Sequence, residues 1–290
     1  LLVNCTNKKQ LIYEFLKYEV NIVFHSAAYK HVPLVEINPI YGIKNNVFST
    51  LAICEASLKT KVSSVVLISS DKAVRPTNIM GASKSLSELI LQAYSQRFKK
   101  DLTDASKREI VFSMVRFGNV LDSSGSVVPL FKEQIKKGGP ITLTHQNMKR
   151  YFMTIKEAAE LLLQSSTMAL GGDVFLLDMG KPIKIYDLAC QMIKLSGLKI
   201  RDKHNRDGDI EILESGIRLG EKLYEELLID AKAKNTYHPL IYRAIEKSIP
   251  YDDLMLILKG MKLAIDENDK PKVLSFLIKA VPELKVDLHS

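Results

Sequence analysis

A short apolar run, Val65-Val66-Leu67-Ile68, passes directly into the polar sequence Ser69-Ser70-Asp71-Lys72, and a helical pattern follows from residue 81 to residue 97. Four consecutive apolar residues rich in β-branched side chains predict a strand that is buried on both faces, as in a parallel sheet covered by helices. In such α/β proteins, ligands bind outside the carboxyl ends of the strands. The sequence therefore predicts an α/β fold that presents reactive side chains at a binding edge.

Strand and helix patterns alternate along most of the chain. Strands are predicted at residues 1–5, 22–25, 65–68, 110–117, 141–143, 174–177 and 210–213, and helices at residues 8–18, 38–58, 81–97, 127–137, 222–228 and 251–263. This order is typical of a Rossmann-like, doubly wound parallel sheet. We expect a partial dinucleotide-binding domain over residues 1–140. Over residues 141–290 we expect a mixed region that completes the sheet and forms a smaller substrate-binding cap.

The composition of the chain excludes several classes of protein. Its 290 residues are 46% hydrophobic and 26% charged, as is usual for a soluble α/β protein. Its cysteines, Cys5, Cys54 and Cys190, lie far apart, so neither a disulfide framework nor a metal site is indicated. The net charge of +8 is dispersed among acidic residues, and we expect no nucleic-acid partner. The cysteines suit the reducing cytoplasm, and we expect the chain as given to be neither membrane-spanning nor secreted, because it has no secretion signal and no run of about 18 apolar residues.

The phosphate loop typical of dinucleotide-binding domains does not occur in the first part of the sequence. In those domains a Gly-x-Gly-x-x-Gly turn follows the first strand and holds the pyrophosphate on backbone amides. No such pattern lies before residue 81. We therefore expect the sheet to lack its first two strands, and we expect the 290 residues alone to bind a dinucleotide poorly. The choice between NAD and NADP stays open, because the residue that selects the ribose would lie in the same part of the domain.

Met80 and Lys84 are four residues apart, so a helix places them on one face, one turn from each other. This spacing resembles the Tyr-x-x-x-Lys pair of the short-chain dehydrogenase/reductase superfamily, in which the Lys holds the nicotinamide ribose and lowers the pKa of the Tyr. A thioether has no proton to exchange. Met80 therefore cannot act as an acid or base, and that role falls to neighbours such as Ser70, Asp71 or Lys72.

An ordered series of motifs makes the resemblance more specific. The motifs are His25-Ser26-Ala27-Ala28-Tyr29-Lys30-His31-Val32-Pro33, Asn45-Asn46-Val47, the run from Ser70 to Lys84, Arg116-Phe117-Gly118-Asn119-Val120-Leu121, Arg150-Tyr151-Phe152-Met153-Thr154 and Arg218-Leu219-Gly220-Glu221-Lys222-Leu223-Tyr224-Glu225-Glu226-Leu227. One motif alone would be a weak signal, but the order of all six is specific. The series resembles the nucleotide-sugar 4,6-dehydratases of the UDP-N-acetylglucosamine type, the polysaccharide-biosynthesis branch of the extended short-chain dehydrogenases.

The resemblance implies a reaction and a role for each residue near the end of the predicted strand. In that family a bound dinucleotide takes a hydride from C4 of the hexose, water is lost across C5 and C6, and the hydride returns to C6. Asp71 would be the acid for the departing water and Lys72 the base at C5, for which its pKa must be lowered. Ser70 would bond the C4 oxygen, Met80 would line the site and Lys84 would hold the ribose. Without the resemblance, an Asp-Lys pair is more often a solvated turn, and Met is more often a core residue.

The resemblance also implies which residues bind the cofactor and the substrate. The cofactor, NAD or NADP, would contact Ala27, Ala28, Asn46, Ser69 and Lys84. The nucleotide sugar would contact Asn119, Lys132, Arg150, Arg218 and Glu221, and guanidinium groups suit phosphate because their contacts are bidentate and permanently charged. The sequence departs from the family pattern twice, because Leu219 replaces a Pro and Asp122 replaces a Gly.

Two other functions stay open. A nucleotide-sugar epimerase has the same fold and cofactor, but it normally keeps the Tyr that Met80 replaces. A non-catalytic dinucleotide-binding protein usually loses the Lys and the acid, which this chain keeps at Lys84 and Asp71. The resemblance further implies a UDP-sugar substrate, a homo-oligomer and, in the full-length protein, a membrane-anchored N-terminal region that places the domain at the inner face of the cell membrane.

Overall fold

The computed structural model describes residues 1–99, 110–218, 220–226, 233–244, 246 and 248–285. The helices are α1 Lys8–Lys17, α2 Val32–Ile37, α3 Pro39–Ser57, α4 Ile79–Lys99, α5 Val127–Lys136, α6 Ile155–Thr167, α7 Ile185–Leu195, α8 Tyr251–Asp266 and α9 Lys270–Ala280. The strands are β1 Ile22–His25, β2 Ser64–Ile68, β3 Val111–Arg116, β4 Asn119–Val120, β5 Ile141–Leu143, β6 Lys149–Arg150, β7 Phe152–Met153, β8 Asp173–Leu177, β9 Ile183–Lys184, β10 Ile200–Arg201, β11 Ile210–Glu214, β12 Lys234–Asn235 and β13 Ile241–Ala244.

The main sheet has the strand order β1-β2-β3-β8-β13-β12. Its first four strands run parallel, and β13 and β12 pair antiparallel at the far edge. Val65, Val66 and Leu67 of β2 are fully buried, as the continuous apolar run predicts for a strand covered on both faces. The predicted α/β fold with a parallel sheet is confirmed.

Helices α3 and α4 pack against each other and carry much of the main core. Helix α3 begins at Pro39, whose fixed φ suits the first helical position and whose missing N–H needs no partner there. Helix α4 buries Leu86, Ile90 and Tyr94 almost completely. Each such side chain contributes roughly 1.5–3 kcal/mol of transfer free energy when it leaves water. Among the described helices, none is both long enough and apolar enough to cross a lipid bilayer.

The chain divides into two compact units, and each is discontinuous in sequence. Unit 1 comprises residues 1–117, 162–177 and 226–290, and unit 2 comprises residues 118–161 and 178–225. Residues 141–290 contribute β8 to the main sheet, where it pairs with β3, and the domain boundary expected at residue 140 stays a prediction. Unit 2 has its own core, in which α5 and α7 pack with the three-stranded sheet β10-β11-β5.

Two predicted elements are wrong in the described part of the chain. Residues 1–5 form no strand, and Leu1 and Leu2 lie exposed, because an apolar run becomes a strand only beside a partner that shares its hydrogen bonds. Residues 222–226 form no helix, and residues 227 and 228 lie outside the described residues. The carbonyls of Lys222 and Leu223 accept hydrogen bonds from Arg150, so a side chain takes the place of helical partners.

Candidate active site

Ser70, Asp71 and Lys72 meet at the carboxyl end of β2. Asp71 to Ala73 form one 3-10 turn, which the extended residue Ser70 caps. Asp71 Oδ1 accepts a hydrogen bond from Ser70 Oγ at 2.8 Å and contacts Lys72 Nζ at 3.1 Å. The Asp71 side chain is fully buried, whereas that of Lys72 is 25% exposed. The pair is therefore a partly buried ionic contact and not a solvated turn, so a charge there is screened less than at the surface.

The backbone around this turn is held by the end of β3. The Ser69 N–H donates to the Val115 carbonyl at 2.8 Å, and the Asp71 N–H donates to the Phe117 carbonyl at 3.2 Å. Ser70 Oγ also accepts the Lys72 N–H at 3.2 Å. These bonds fix the direction in which the three side chains leave the sheet, as a preorganised acid-base group requires.

Lys84 lies below the turn, in the second turn of α4. Its Nζ donates to the carbonyl of Ile68, the last residue of β2, at 2.6 Å, and the residue is only 7% exposed. Burial lowers the pKa of Lys84 to about 8, and the Glu88 carboxylate opposes that shift. Met80, one turn earlier, is 3% exposed and belongs to the main core. Packing is thus the observed role of Met80, and a role in lining the site stays a prediction.

Asn46 fastens the loop that follows β1. Its side-chain oxygen accepts the Tyr29 N–H at 2.7 Å, and its Nδ2 donates to the Tyr29 carbonyl at 3.0 Å and to Ser83 Oγ at 2.9 Å. The loop residue Ala27 is exposed and Ala28 is half-buried. Because its amide is engaged by the protein, Asn46 supports the loop that carries the two alanines.

His25 is a buried polar residue beside this loop that sequence reasoning missed. It ends β1, and its Nε2 lies 3.0 Å from Thr50 Oγ1 and 3.4 Å from Ser49 Oγ. Burial lowers the pKa of His25 to about 3, and the nearby charge of Lys84 lowers it further. A histidine at the last position of an otherwise apolar strand, directly before the loop, is the signal that could have identified it.

Arg150, expected to clamp the substrate, holds a loop of its own unit in place. Its guanidinium donates to the carbonyls of Lys149 at 2.8 Å, Leu223 at 3.2 Å and Lys222 at 2.7 Å. It also pairs with Glu225 at 3.2 Å and, more distantly, with Glu221 at 3.8 Å. Arg150 therefore fastens the segment from residue 221 to residue 225 to strand β6.

The other residues expected to bind substrate also lie in unit 2. Asn119 Nδ2 donates weakly to Glu225 Oε2 at 3.4 Å, so Asn119, Arg150 and Glu225 are neighbours. Arg218 is exposed, and its backbone N–H donates to Glu221 Oε2 at 3.3 Å. Leu219 lies outside the described residues.

Asp122 and Lys132 form an exposed pair elsewhere in unit 2, 2.9 Å apart. Asp122 adopts a φ of 61°, the left-handed conformation that explains why a Gly is usual at this position. The Asp122 carboxylate pairs with Lys132, so this lysine balances the negative charge that Asp122 introduces in place of a Gly. No described contact joins Lys132 to Asn119, Arg150 or Glu221, and its role toward substrate stays a prediction.

The parallel sheet, with a polar turn at the end of β2 and a buried lysine on the helix that follows, defines an α/β protein with a Rossmann-like fold. The solved structure of Pen from Bacillus thuringiensis matches with a TM-score of 0.72 and 31% identity, covering 89% of this chain and 80% of Pen. A Streptomyces venezuelae dTDP-glucose 4,6-dehydratase and a Thermus thermophilus UDP-glucose 4-epimerase, both solved with NAD, have TM-scores of 0.64 and 0.63. They cover 78% and 76% of this chain and 69% and 72% of their own. At 18% and 19% identity, these two likenesses show the fold alone.

The chain belongs to the polysaccharide biosynthesis protein family, whose sequence pattern matches residues 1–246. It is 48% identical over 239 residues to the capsular polysaccharide biosynthesis protein CapD of Staphylococcus aureus, and the match covers 82% of this chain and 37% of CapD. It is 35% identical over 209 residues to a UDP-glucose 4-epimerase of Rickettsia rickettsii, and that match covers 72% of this chain and 56% of the relative. The chain thus spans only part of the curated relatives it matches.

Proposed function

We propose that this chain carries the acid-base centre of a nucleotide-sugar 4,6-dehydratase, a hydro-lyase acting on a UDP-N-acetylhexosamine, with UDP-N-acetylglucosamine as the favoured substrate. The contact between Asp71 and Lys72 at the end of β2 carries the proposal, since Met80 supplies no exchangeable proton. Membership of the polysaccharide biosynthesis family supports a role in making a capsule, O-antigen or glycoprotein glycan.

The Asp71–Lys72 pair suits a reaction that removes water from a sugar. Such a reaction takes a proton from C5 and releases the C6 hydroxyl as water, so it needs a base and an acid together. Lys72 in its amine form takes the C5 proton, and Asp71 in its acid form protonates the leaving C6 oxygen. The 3.1 Å contact between Lys72 Nζ and Asp71 Oδ1 lets a proton pass from Lys72 to Asp71, which converts the ionic pair into this amine and acid before each reaction. Ser70 Oγ would exchange its bond to Asp71 for the C4 oxygen of the sugar.

The residues at the ends of β1 and β2 fit a nicotinamide dinucleotide, NAD or NADP. When bound, this cofactor would supply the acceptor for the C4 hydride and its return to C6. Ser69 Oγ is buried and has no hydrogen-bond partner among the described residues, so a cofactor hydroxyl would satisfy it. Lys84 would hold the ribose, and Ala27 and Ala28 leave room for close approach. Asn46 would act by holding their loop.

Unit 2 carries the residues that the resemblance assigns to the nucleotide. We propose that Asn119 and Arg218 bind its phosphates or ribose, with Glu221 beside them, and that Arg150 orders this segment. The assignment of Lys132 to the same substrate belongs to the proposal as well. We also propose a homo-oligomer and a cytoplasmic domain at the inner face of the cell membrane in the full-length protein.

Isotope incorporation tests the reaction directly. The full-length protein is incubated in heavy water with UDP-N-acetylglucosamine and NAD, and the product mass is followed. Loss of one water with gain of one solvent deuterium supports dehydration through deprotonation at C5. An unchanged mass in the presence of bound substrate contradicts it.

Epimerisation of a nucleotide sugar is the second candidate. The 35% identity to a UDP-glucose 4-epimerase favours it, whereas Met80 at the position of the usual Tyr counts against it. An epimerase keeps the mass of its substrate, so chromatographic separation of a C4 epimer of equal mass would favour this candidate over the dehydratase.

A further inference from the structure

A buried ion network lies behind the candidate active site, within unit 1. We call Glu88, Arg116 and Glu246 the Arg116 network. Arg116 Nε donates to Glu88 Oε1 at 2.7 Å, and its Nη2 donates to Glu88 Oε2 at 2.5 Å. On its other side, Arg116 binds both oxygens of Glu246, with 2.6 Å between Nη2 and Oε2. The side chains of Arg116, Glu88 and Glu246 are 2%, 3% and 13% exposed.

The network joins the helix that carries Lys84 to the main sheet. Glu88 lies four residues after Lys84 on α4, so the two side chains leave the same face of the helix. Lys84 reaches the carbonyl of Ile68 at the end of β2, and Glu88 reaches Arg116 at the end of the adjacent strand β3. These two contacts, one helical turn apart, fix the rotation of α4 about its axis and its distance from the sheet. The position of Lys84 Nζ therefore depends on the bidentate pair below it.

The network also carries a surplus negative charge. One guanidinium faces two carboxylates, so the three groups sum to one negative charge, and the second carboxylate comes from Glu246 in the C-terminal segment. Both Glu88 oxygens are engaged by Arg116, and no described ion pair joins Glu88 to Lys84 directly. In a buried site an unscreened charge acts over several ångströms. Glu88 is the carboxylate whose charge acts on Lys84, and Glu246 balances the guanidinium that would otherwise neutralise Glu88.

We infer that the Arg116 network positions Lys84 and supplies the negative charge that keeps its amine protonated. Glu88 and Arg116 fix the helix, and Glu246 is a positioning residue that acts through Arg116 without touching the site. The inference rests on the proposed function only in taking Lys84 as the amine that binds the ribose. Other titratable groups face α4 from the elements packed against it, and the variants leave them unchanged: His25, Glu36, Glu55, Asp71 and Lys72, with Lys270 acting on Glu36.

Titration of Lys84 by NMR tests the inference without any turnover. The protein is labelled with 13C at lysine Cε, and the Lys84 signal is identified by its loss in Lys84→Arg. In Glu246→Gln, which keeps the size of the side chain and removes its charge, we expect the Lys84 midpoint to fall by about half a pH unit or more. Glu246→Asp keeps the charge and should restore most of the wild-type midpoint. Glu133→Gln, an exposed residue of unit 2, is the matched control and should leave it unchanged.

The comparison of the two Glu246 variants decides the outcome. A purely structural role predicts that both variants alter thermal stability while the Lys84 midpoint stays at its wild-type value, and that result overturns the inference. Should Glu246→Gln not fold, Glu88→Gln tests the inference in its place, because it removes the other carboxylate of the network and should lower the Lys84 midpoint by at least as much. Because the readout is a titration, failure of the dehydratase proposal would leave this result intact.

Discussion

The strand end in unit 1 and the segment from residue 221 to residue 225 in unit 2 were both expected to bind ligand, yet they are built differently. In unit 1, the buried Asp71 carboxylate contacts the partly exposed amine of Lys72. Hydrogen bonds to the end of the neighbouring strand β3 hold the backbone of this turn. In unit 2, the expected clamp Arg150 is occupied by three carbonyls and two carboxylates of its own unit. A strand end thus fixes functional groups through the sheet, whereas a loop needs a side chain to hold it.

The largest effect is expected when the acid-base pair in unit 1 is removed. Asp71→Asn or Lys72→Ala should lower kcat by about 10²–10⁴-fold, the usual contribution of a positioned acid or base. Substrate binding should change much less, because unit 2 is untouched. Turnover measured with the full-length protein checks this, with circular dichroism as the control for folding. Wild-type turnover in either variant would exclude the assigned roles.

Removal of the clamp in unit 2 should act on stability. Arg150→Met removes the ion pair to Glu225 and the hydrogen bonds to the carbonyls of Lys222 and Leu223, and loss of one member of a buried ion pair costs about 3–5 kcal/mol. Urea denaturation checks the free energy of unfolding. Arg206→Ala, at an exposed position, is the matched control and should change it by less than about 0.5 kcal/mol. An equally small change in Arg150→Met would mean that the clamp does not hold this segment.

His25 predicts an acid-dependent loss of stability in unit 1. The folded state keeps His25 neutral down to a pKa of about 3, whereas the unfolded chain protonates at the ordinary value of 6.5. Between these values the unfolded state binds the additional proton, so the free energy of unfolding falls as the pH falls from 6.5 toward 3, by a few kcal/mol in total.

The test of His25 is the pH dependence of unfolding, not its absolute size. His25→Gln should flatten the slope in that window, and the exposed His204→Gln should keep the wild-type slope. Parallel slopes for wild type and His25→Gln would show that His25 is protonated in the folded state as readily as in the unfolded chain.

The smallest effect is expected at the exposed pair in unit 2. Lys132→Ala removes a contact whose partners are 60% and 58% exposed, and such pairs contribute about 0–1 kcal/mol. The free energy of unfolding should therefore hardly change. The same variant sharpens the substrate assignment, because a large rise in KM for the UDP-sugar would place Lys132 against the substrate after all.

Residues 22–25 and 64–68 illustrate what local sequence predicts well. Both are short apolar runs followed by polar loops, and both became parallel strands at or within one residue of the predicted bounds. The helical pattern of residues 81–97 likewise became a helix, α4, which begins at Ile79. These elements are predictable because a continuous apolar run indicates a strand buried on both faces and helical periodicity indicates a helix, and both patterns depend only on neighbouring residues.

Residues 1–5 and 222–228 illustrate what local sequence does not contain. The first run has strand-forming residues but no paired strand, and the second has a helical pattern whose carbonyls are taken by Arg150, about 70 residues earlier in the chain. The roles of Asn46 and Arg150 in holding loops were not predictable either. Each role depends on a partner that is distant in sequence.

The sequence by itself determined the α/β class, the strand end that carries Ser70, Asp71 and Lys72, and the family resemblance, because short-range patterns encode each of them. Only the tertiary structure decided that Asp71 is fully buried, that Lys84 bonds the end of β2 and that Glu246 completes the Arg116 network. Burial and charge pairing arise from residues brought together by folding. The strength of charge interactions at a site therefore depends on burial and on partners far away in the sequence, and only the folded structure shows both.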